Sequence, residues 1–237
     1  MNLVAIETAT ETVAVAIRTA DGLAAELALT GRRRHVESLT PALEHLLGQV
    51  GLEAEQLSAV AVDVGPGLFT GLRVGVSAAK GLAQSLGIGV IGLSSLDILA
   101  GAAAGSGLRG QVLCAVDARR GEVFASLVEV AATGAVTPSG SPQLLSPEGL
   151  VQLLAGLSSQ AVTAVGDGAQ RYAEALGGVP GVIVVESALA WPPAPTLLAL
   201  AAGLLDAGHA PAEPGSVVPL YMRDADATAN FAQVSRA

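Results

Sequence analysis

The sequence predicts an α/β protein built from two copies of one βββαβα unit, and three observations support this. The first part of the chain reads as three short strands followed by helices that alternate with buried strands. Residues 112–117 (VLCAVD) then match residues 2–7 (NLVAIE), and each half continues to a buried strand that ends in a glycine-containing turn. Because a repeated order of elements indicates internal duplication, we expect domains at residues 1–104 and 105–215 and a C-terminal tail at 216–237.

Apolar spacing and turn residues predict the elements of the first copy. Asp21-Gly22 between two alternating runs indicates a β-hairpin. Apolar side chains three and four residues apart predict an amphipathic helix over residues 36–50. Pro41 fits either the first turn of a helix or a kink in one that begins near His35, and the sequence leaves both open. The other elements are predicted as strands at residues 3–6, 13–17, 23–29, 59–64 and 89–92, and as helices at 70–86 and from Ser94.

The second copy is predicted from the match to the first. A strand at residues 123–129 falls where the first copy has its second strand, and a helix near 196–207 completes the unit. The run at 217–221 (VVPLY) is strand-like and lies in the tail.

Composition argues against unaided binding of nucleic acid. The chain has 21 acidic and 12 basic residues, a formal net charge of −9, and only 3% aromatic residues. Phosphate contacts need clustered Lys and Arg, and binding of single strands needs aromatic rings for stacking. We therefore expect contact with RNA only through a partner. Arg32, Arg33 and Arg34 form either a solvated loop or a phosphate or partner contact.

Few residues are available for metal or redox chemistry. Cys114 is the only cysteine, which excludes an internal disulfide and a zinc site of several thiolates, and its position predicts a buried strand residue. The three histidines lack the spacing of metal ligands, so no metal site is expected. The first ten residues do not read as a signal peptide, and prolines interrupt the apolar stretch at 187–205. We expect a cytoplasmic protein without a membrane segment.

Acidic residues end the first strand of each copy, as in folds that hold a metal-bound nucleotide between two hairpins. These are Glu7 and Asp117, but Ala9 and Arg119 stand two residues later, where a glycine would let the backbone approach phosphates. The pattern favours a nucleotide fold with degraded phosphate contacts. A working ATPase, and acids that only bond nearby turn amides, remain open.

Two glycine-rich turns are further candidates for binding. The turn at residues 65–73 (GPGLFTGLR) between a strand and a helix is either an anion site or a turn shaped by backbone geometry. Gly166, Asp167 and Gly168 either line an adenosine pocket or form a turn in which Asp167 caps the next helix.

The helices at 36–50 and 70–86 carry much apolar surface. On the second helix one stripe is large and apolar, whereas Gly71, Gly75 and Gly81 keep another face small. Either the stripes pack on the chain's own sheet, or they form an interface with another subunit.

Six segments of the chain resemble the TsaB (YeaZ) family. They are AIETAT at residues 5–10, HVESLTP at 35–41, VGPGLFTGLRVGVSAAK at 64–80, GLSSL at 92–96, DARRGEV at 117–123 and VPLYMR at 218–223. The run Gly-Pro-Gly-x-Phe-Thr-Gly-x-Arg-x-Gly is specific to the family. The resemblance extends from residue 1 to about 223.

The resemblance implies an actin-like ATPase (ASKHA, ribonuclease H-like) fold and a non-catalytic role in the synthesis of N6-threonylcarbamoyladenosine (t6A) in tRNA. In that family the catalytic relative, TsaD, modifies adenosine 37 of ANN-decoding tRNAs and carries a metal-binding histidine pair. This chain has no second histidine one turn after His35, so the transferase site is not expected. A TsaD-like subunit, a TsaE-like ATPase and a homodimer of the chain alone are the implied partners. No cofactor is expected on this chain alone, whereas ATP or ADP could bind in the complex.

The implied partner surface lies on the first two helices of the N-terminal domain. Its residues are His35, Val36, Leu39, Leu43, Leu46, Leu47, Phe69, Leu72, Arg73, Val76 and Lys80. A vestigial nucleotide site would comprise Glu7, Thr8, Thr10, Asp117, Gly166, Asp167 and Gly168. We expect Leu46→Asp or Val76→Asp to break association and leave the monomer folded. The alternative function is an ATP-dependent small-molecule kinase, in which Glu7 and Asp117 would organise Mg-ATP.

Overall fold

The computed structural model describes residues 1–31, 35–157, 161–185 and 189–222. The three arginines at 32–34 and the last fifteen positions of the predicted tail lie outside the described residues.

The first half folds around a five-stranded sheet. The hairpin predicted at Asp21-Gly22 is confirmed, since β2 and β3 pair antiparallel on either side of it. The order along the chain is β1 (Leu3–Glu7), β2 (Thr12–Arg18), β3 (Ala24–Thr30), α1 (His35–Val50), β4 (Ala59–Gly65), α2 (Phe69–Leu86), β5 (Gly89–Ser94) and α3 (Ser95–Gly105). A 3-10 turn at Ala54–Gln56 precedes β4.

The second half repeats this order around a second sheet. Its elements are β6 (Gly110–Arg119), β7 (Glu122–Val130), β8 (Val136–Pro138), β9 (Gln143–Leu145), α4 (Pro147–Ala155), β10 (Val162–Val165), α5 (Asp167–Arg171), α6 (Ala173–Gly177), β11 (Val182–Val184) and α7 (Ala194–Asp206). A 3-10 turn at Pro214–Ser216 follows. The short strand β9, which the sequence did not predict, pairs with β7.

Both sheets have the same topology. The strand order is β3-β2-β1-β4-β5 in one and β8-β7-β6-β10-β11 in the other. The first three strands of each half pair antiparallel, whereas β1 pairs in parallel with β4 and β6 pairs in parallel with β10. The carboxyl ends of β1 and β4, and of β6 and β10, therefore meet at one edge of each sheet, where crevices for ligands form in folds of this type. The predicted duplicated, actin-like α/β fold is confirmed.

The last helix of each half packs against the sheet of the other half. Leu96 and Leu99 of α3 pack in one apolar cluster with residues of β6 and β7. In return, Leu197 and Ala201 of α7 pack on β1, β2 and β4 of the first sheet. Helices α1 and α2 cover the opposite face of that sheet. The exchange joins the two halves through apolar burial, the main stabilising term in folding.

Two local predictions are settled. Helix α1 begins at His35 and contains Pro41, so the proline lies inside the helix. The run at 217–221 is not a strand: it is extended and lies against α2 without joining either sheet. Prolines at 214 and 219 explain why the strand-like residues form no strand. Proline has no backbone N–H to donate to the hydrogen bonds between strands.

Candidate functional site

The turn after β1 is covered by the start of α2. The amide of Leu68 donates to the Ala9 carbonyl at 2.6 Å, and a Cβ on Gly67 would lie 2.2 Å from the same oxygen. A Cβ on Gly71 would lie 2.0 Å from the Thr8 carbonyl oxygen. Only glycine allows the helix to approach the turn this closely. The glycine-rich turn therefore serves contact between two backbones of this chain.

The side chains of this first turn are bonded within the protein. The Thr8 hydroxyl donates to the carbonyl of Gly71 at 2.8 Å. The Thr10 carbonyl accepts from His35 Nε2 at 2.9 Å, which fixes the start of α1 against the turn. Both threonines are buried. Burial therefore keeps both hydroxyl groups away from the protein surface.

Glu7 and Asp63 form a fully buried pair of carboxyl groups. Parallel pairing of β1 with β4 brings their strand ends together. Burial raises the pKa of Glu7 well above its ordinary value, and the charge of Asp63 and a hydrogen bond to it raise that pKa further. Burial also raises the pKa of Asp63, against the hydrogen bonds donated by the Ser95 hydroxyl (2.7 Å) and the Gly65 amide (2.6 Å). Burial beside a second acid therefore favours the protonated form of Glu7, although its Oε1 also accepts a hydrogen bond from the Ala9 amide at 2.8 Å.

The turn after β6 keeps the backbone of a glycine turn but carries arginines. Arg119 and Arg120 have φ of 62° and 55°, in the left-handed region that glycine adopts most readily. A register shift between Asp117 and Arg119 accompanies them. The geometry that suits close approach of a phosphate is thus retained, with a long cationic side chain at the glycine position.

The side chain of Arg119 bridges the two hairpins. Its Nη2 donates to Glu11 Oε1 at 2.6 Å, and its Nη1 lies 2.9 Å from Asp117 Oδ2. Arg171 adds a second, longer contact to Asp117 at 3.4 Å. Glu11 belongs to the first hairpin and Asp117 to the second, so a guanidinium of this chain occupies the space between them.

The turn at Gly166–Gly168 supports the second hairpin. Asp167 Oδ1 accepts a hydrogen bond from the Asp117 amide at 2.9 Å. The Asp167 carboxyl group also accepts from the amide of Gly168 in its own helix, α5, so it contacts both the second hairpin and the start of that helix. Burial raises the pKa of Asp167 to about 6. Cβ atoms on Gly166 and Gly168 would lie 2.0 Å from the Ala115 carbonyl oxygen and 2.9 Å from the Val116 carbonyl carbon, so both glycines allow backbone contact with β6.

These contacts do not fit a metal-bound nucleotide. Burial raises the pKa of Glu7 and disfavours the charged form that a cation would need, and Asp117 is paired with arginines of the chain itself. Groups of acidic, histidine or cysteine side chains able to hold a metal ion are absent from the described ranges.

A groove of about 410 Å³ opens beside the Arg119 bridge. The first turns of α1 and α2 and the side chain of Arg119 line it. Val36 and Phe69 stand at this groove as exposed apolar side chains, and Val36 is 70% exposed. Exposed apolar side chains beside a groove with polar residues are typical of a surface that binds another protein.

Residues 213–221, here called the strap, extend this surface along α2. Lys80 Nζ donates to the carbonyls of Gly215 (3.2 Å) and Val217 (3.0 Å). At the other end, the Tyr221 ring lies 5.3 Å from that of Phe69, and the Tyr221 hydroxyl accepts from Arg73 Nε at 3.1 Å. The sequence suggested a strand here and gave no sign of this role, because the contacts join positions far apart in the chain.

The predicted partner residues divide into two groups. Val36, Phe69 and Arg73 are exposed, and Leu43 and Lys80 are partly buried. The others lie inside the chain's own fold: His35, Leu39, Leu46, Leu47, Leu72 and Val76. Contact of these six with a partner stays a prediction, and His35, although only 6% exposed, also lines the groove. Leu46 and Val76 are only 4% and 3% exposed, so aspartate there would disrupt the core, contrary to the expectation that the monomer would stay folded.

Cys114 is buried in the second sheet, as predicted, and burial raises the pKa of its thiol to about 12. A thiol of this kind is inert as a nucleophile at neutral pH. Across the described part of the chain, no helix has the length and apolar character needed to span a bilayer.

Known proteins match the chain over most of its length. The family model of TsaD, tRNA N6-adenosine threonylcarbamoyltransferase, matches residues 29–231. The tRNA threonylcarbamoyladenosine biosynthesis protein TsaB of Escherichia coli K12 is 31% identical over 224 residues, which is 94% of this chain and 95% of that protein. TsaB of Bacillus subtilis is 36% identical over 129 residues, 54% of this chain and 56% of that protein.

A solved structure gives the same answer. YeaZ from Pseudomonas aeruginosa superposes with a TM-score of 0.80 at 29% sequence identity, covering 93% of this chain and 99% of that one. The Escherichia coli protein and the Pseudomonas aeruginosa structure each match more than nine-tenths of this chain. The chain belongs to the TsaB (YeaZ) family and has its role in the biosynthesis of tRNA threonylcarbamoyladenosine.

Proposed function

We propose that this chain is a non-catalytic accessory subunit that binds and activates a TsaD-like catalytic subunit in t6A37 modification of ANN-decoding tRNAs. The observation that carries the proposal is the exposed apolar surface at the first turns of α1 and α2, where Val36 and Phe69 stand beside the groove. Burial of such side chains on association stabilises a complex, whereas side chains that stay exposed to water in a monomer contribute no stabilisation.

The filled hairpins support the non-catalytic part. Phosphoryl or acyl transfer with ATP needs carboxylates that can bind a metal ion and backbone amides that can approach phosphates. Here burial raises the pKa of Glu7, which disfavours its charged form, and Arg119 stands between the hairpins. The same two observations argue against the alternative, a small-molecule kinase. We propose that the chain alone binds no nucleotide and that ATP or ADP enters only in the complex.

The remaining partners follow from the same surface. Alone, the chain is proposed to form a homodimer through it, and the catalytic subunit replaces the second copy. A TsaE-like ATPase then joins the assembly, and tRNA is bound through the complex, since a chain with a net charge of −9 repels phosphates. The proposed site of action is the cytoplasm.

The test is titration calorimetry between this chain and the TsaD-like subunit of the same organism, with Val36→Asp as the variant. Val36 is 70% exposed in the first turn of α1, where an acidic residue suits the helix dipole, so the fold should be retained. We expect the affinity to fall by roughly 30-fold or more, as for loss of a central interface residue. The yield of t6A in a reconstituted reaction should fall with it.

The matched control is Ile183→Asp. Ile183 is 63% exposed on β11, at the edge of the second sheet, and it tests for a general effect of a surface charge. Its affinity should equal that of the parent. Equal binding by the parent, Val36→Asp and Ile183→Asp would contradict the proposed surface. Turnover of ATP by the chain alone would contradict the non-catalytic role.

A further inference from the structure

We propose that the strap is a third element of the surface that binds the catalytic subunit, and that Lys80 positions it. This inference rests on the proposed function and adds to it residues that neither helix contains.

The strap is held at both ends by hydrogen bonds to the first half. Before it begins, Ala212 exchanges two backbone hydrogen bonds with Val90 of β5, at 2.8 and 2.9 Å. Within it, the Lys80 ammonium donates to the carbonyls of Gly215 and Val217. Near its end, the Leu220 amide donates to the Val64 carbonyl at 2.6 Å. Lys80 supplies the fixed point between the two backbone anchors, so it acts on the surface through the strap.

The strap ends in a cluster with the first turns of α2. The rings of Tyr221 and Phe69 are tilted by 36° with centroids 5.3 Å apart, a favourable aromatic geometry. The Arg73 guanidinium lies 3.8 Å from the Phe69 ring centroid and also bonds the Tyr221 hydroxyl. The three side chains therefore order one another. Their exposed area is presented as a rigid patch, which lowers the entropy lost on binding.

A partner that covers the groove also contacts this patch, because the two are adjacent. Phe69 lines the groove and also stacks on Tyr221, so a partner that buries one ring meets the other. Ten large apolar side chains are exposed among the described residues, and Val218, Leu220 and Tyr221 of the strap are three of them. These three side chains are between 42% and 66% exposed, so the strap keeps apolar area that a partner can bury.

The chemistry of the patch indicates what it binds. Aromatic and aliphatic surface with one guanidinium fits a partner face that is apolar and carries a hydrogen-bond acceptor opposite Arg73. The occupant is the catalytic subunit, because the patch is continuous with the groove at which Val36 is exposed.

The experiment compares variants of the full chain in calorimetric titration with the catalytic subunit. Tyr221→Ala should weaken binding by roughly 10-fold or more, as for an aromatic residue at an interface. Tyr221→Phe keeps the ring and loses only the bond to Arg73, so it should recover most of the affinity. Ser216→Ala is the control within the strap, because its hydroxyl bonds only the nearby Glu213 carbonyl, and it should bind as the parent does.

Lys80 is tested by a readout that is independent of affinity. Lys80→Met keeps most of the apolar stem and removes the ammonium. We expect faster hydrogen exchange at the Leu220 amide, together with weaker binding of the catalytic subunit. Unchanged exchange and unchanged affinity would contradict the positioning role.

The outcomes separate the strap from the proposed function. If Val36→Asp weakens binding and Tyr221→Ala does not, the strap inference is wrong and the proposed function stands. If neither does, both are wrong. If Tyr221→Ala weakens only self-association of the chain, the patch serves a second copy, and the inference is overturned.

Discussion

An acidic residue lies at the end of the first strand of each half, and its surroundings differ between the two halves. Glu7 is fully buried beside Asp63, beneath the glycines of α2, and burial raises its pKa. Asp117 is paired with two arginines at the cleft. Burial without a cation favours protonation, whereas a cation within reach favours the carboxylate. The same position in a duplicated fold thus has two different environments, one of burial beside another carboxyl group and one of ion pairs with arginines.

The comparison depends on what each hairpin faces. The first turn packs against the backbone of α2, which leaves no room for a basic side chain. The second turn lies nearer the surface. There, Arg119 and Arg171 pair with Asp117 and remain partly exposed to water. We expect the first hairpin to respond strongly to changes in shape and pH, and the second to changes in charge and salt.

The largest effect is expected from Gly71→Ala. Its Cβ would lie 2.0 Å from the Thr8 carbonyl oxygen, so the helix must move off the first turn. We expect a loss of about 3 kcal/mol in the free energy of unfolding, measured by denaturant titration. Gly81→Ala on the same helix is the control: a Cβ there meets nothing within 4 Å, and the variant should be stabilised by about 0.5–1 kcal/mol. Equal effects at both positions would contradict close packing at the first hairpin.

Asp117→Asn should come next. The Asp117 side chain is only 3% exposed and pairs with two arginines, so an amide leaves both cations without their charge partner. Because both arginines remain partly hydrated, the expected loss is about 2 kcal/mol, below that for a fully buried pair. Asp206→Asn, on the exposed end of α7, should change the stability by no more than about 0.5 kcal/mol. A loss at Asp117 as small as that would show that the second hairpin does not depend on its charges.

Glu7→Gln should stabilise the protein at neutral and higher pH. The pKa of Glu7 is raised well above its ordinary 4.5, so the folded chain keeps a proton that the unfolded chain releases. The contribution of this group to stability is complete below pH 4.5 and declines as the pH rises towards the folded pKa. Glutamine can donate to Asp63 without taking up a proton, and we expect a gain of about 1–2 kcal/mol at pH 7–8.

The pH range for this measurement matters. Asp167, with its pKa raised to about 6, also loses its stabilising contribution as the pH rises, but that loss is complete above pH 7. Between pH 7 and 9 the remaining pH dependence comes from the buried pair and from Cys114, whose pKa is raised to about 12, and the thiol contributes equally to the parent and to Glu7→Gln. The parent should lose stability over that range and the Glu7→Gln variant should lose less. Identical slopes would mean that Glu7 is ionised in the folded protein.

Glu11→Gln should have the smallest effect. The Glu11 side chain is 45% exposed and that of Arg119 30%, so their ion pair gains little in water. A double-mutant cycle with Arg119→Gln should give a coupling of about 0.5 kcal/mol that shrinks in high salt. A coupling above about 2 kcal/mol, independent of salt, would mean that the bridge is dehydrated and far stronger than an exposed pair.

Local patterns in the sequence predicted most elements and the acids at the strand ends. Spacing of three and four residues fixed α1 and α2, and Asp21-Gly22 fixed the first hairpin, because these signals depend on neighbours within one turn. The missing glycines at Ala9 and Arg119 correctly marked both hairpins as unusual.

The partner of each acid could not be predicted, because it comes from another strand or loop. Asp63 reaches Glu7 only through the parallel pairing of β1 with β4, and Glu11 reaches Arg119 only when the halves close on each other. Apolar residues on α1 and α2 looked alike in the sequence. The structure separates Val36 and Phe69 at the surface from Leu46 and Val76 in the core.

The sequence by itself determined the repeated α/β plan and the family resemblance, since these depend on composition and on order along the chain. Only the tertiary structure decided which apolar side chains stay exposed, where the protons and ion pairs of the two hairpins lie, and that the strap lies beside Phe69. Those features join residues that are distant in sequence, and their energies are set by burial and by distances that only the folded chain defines.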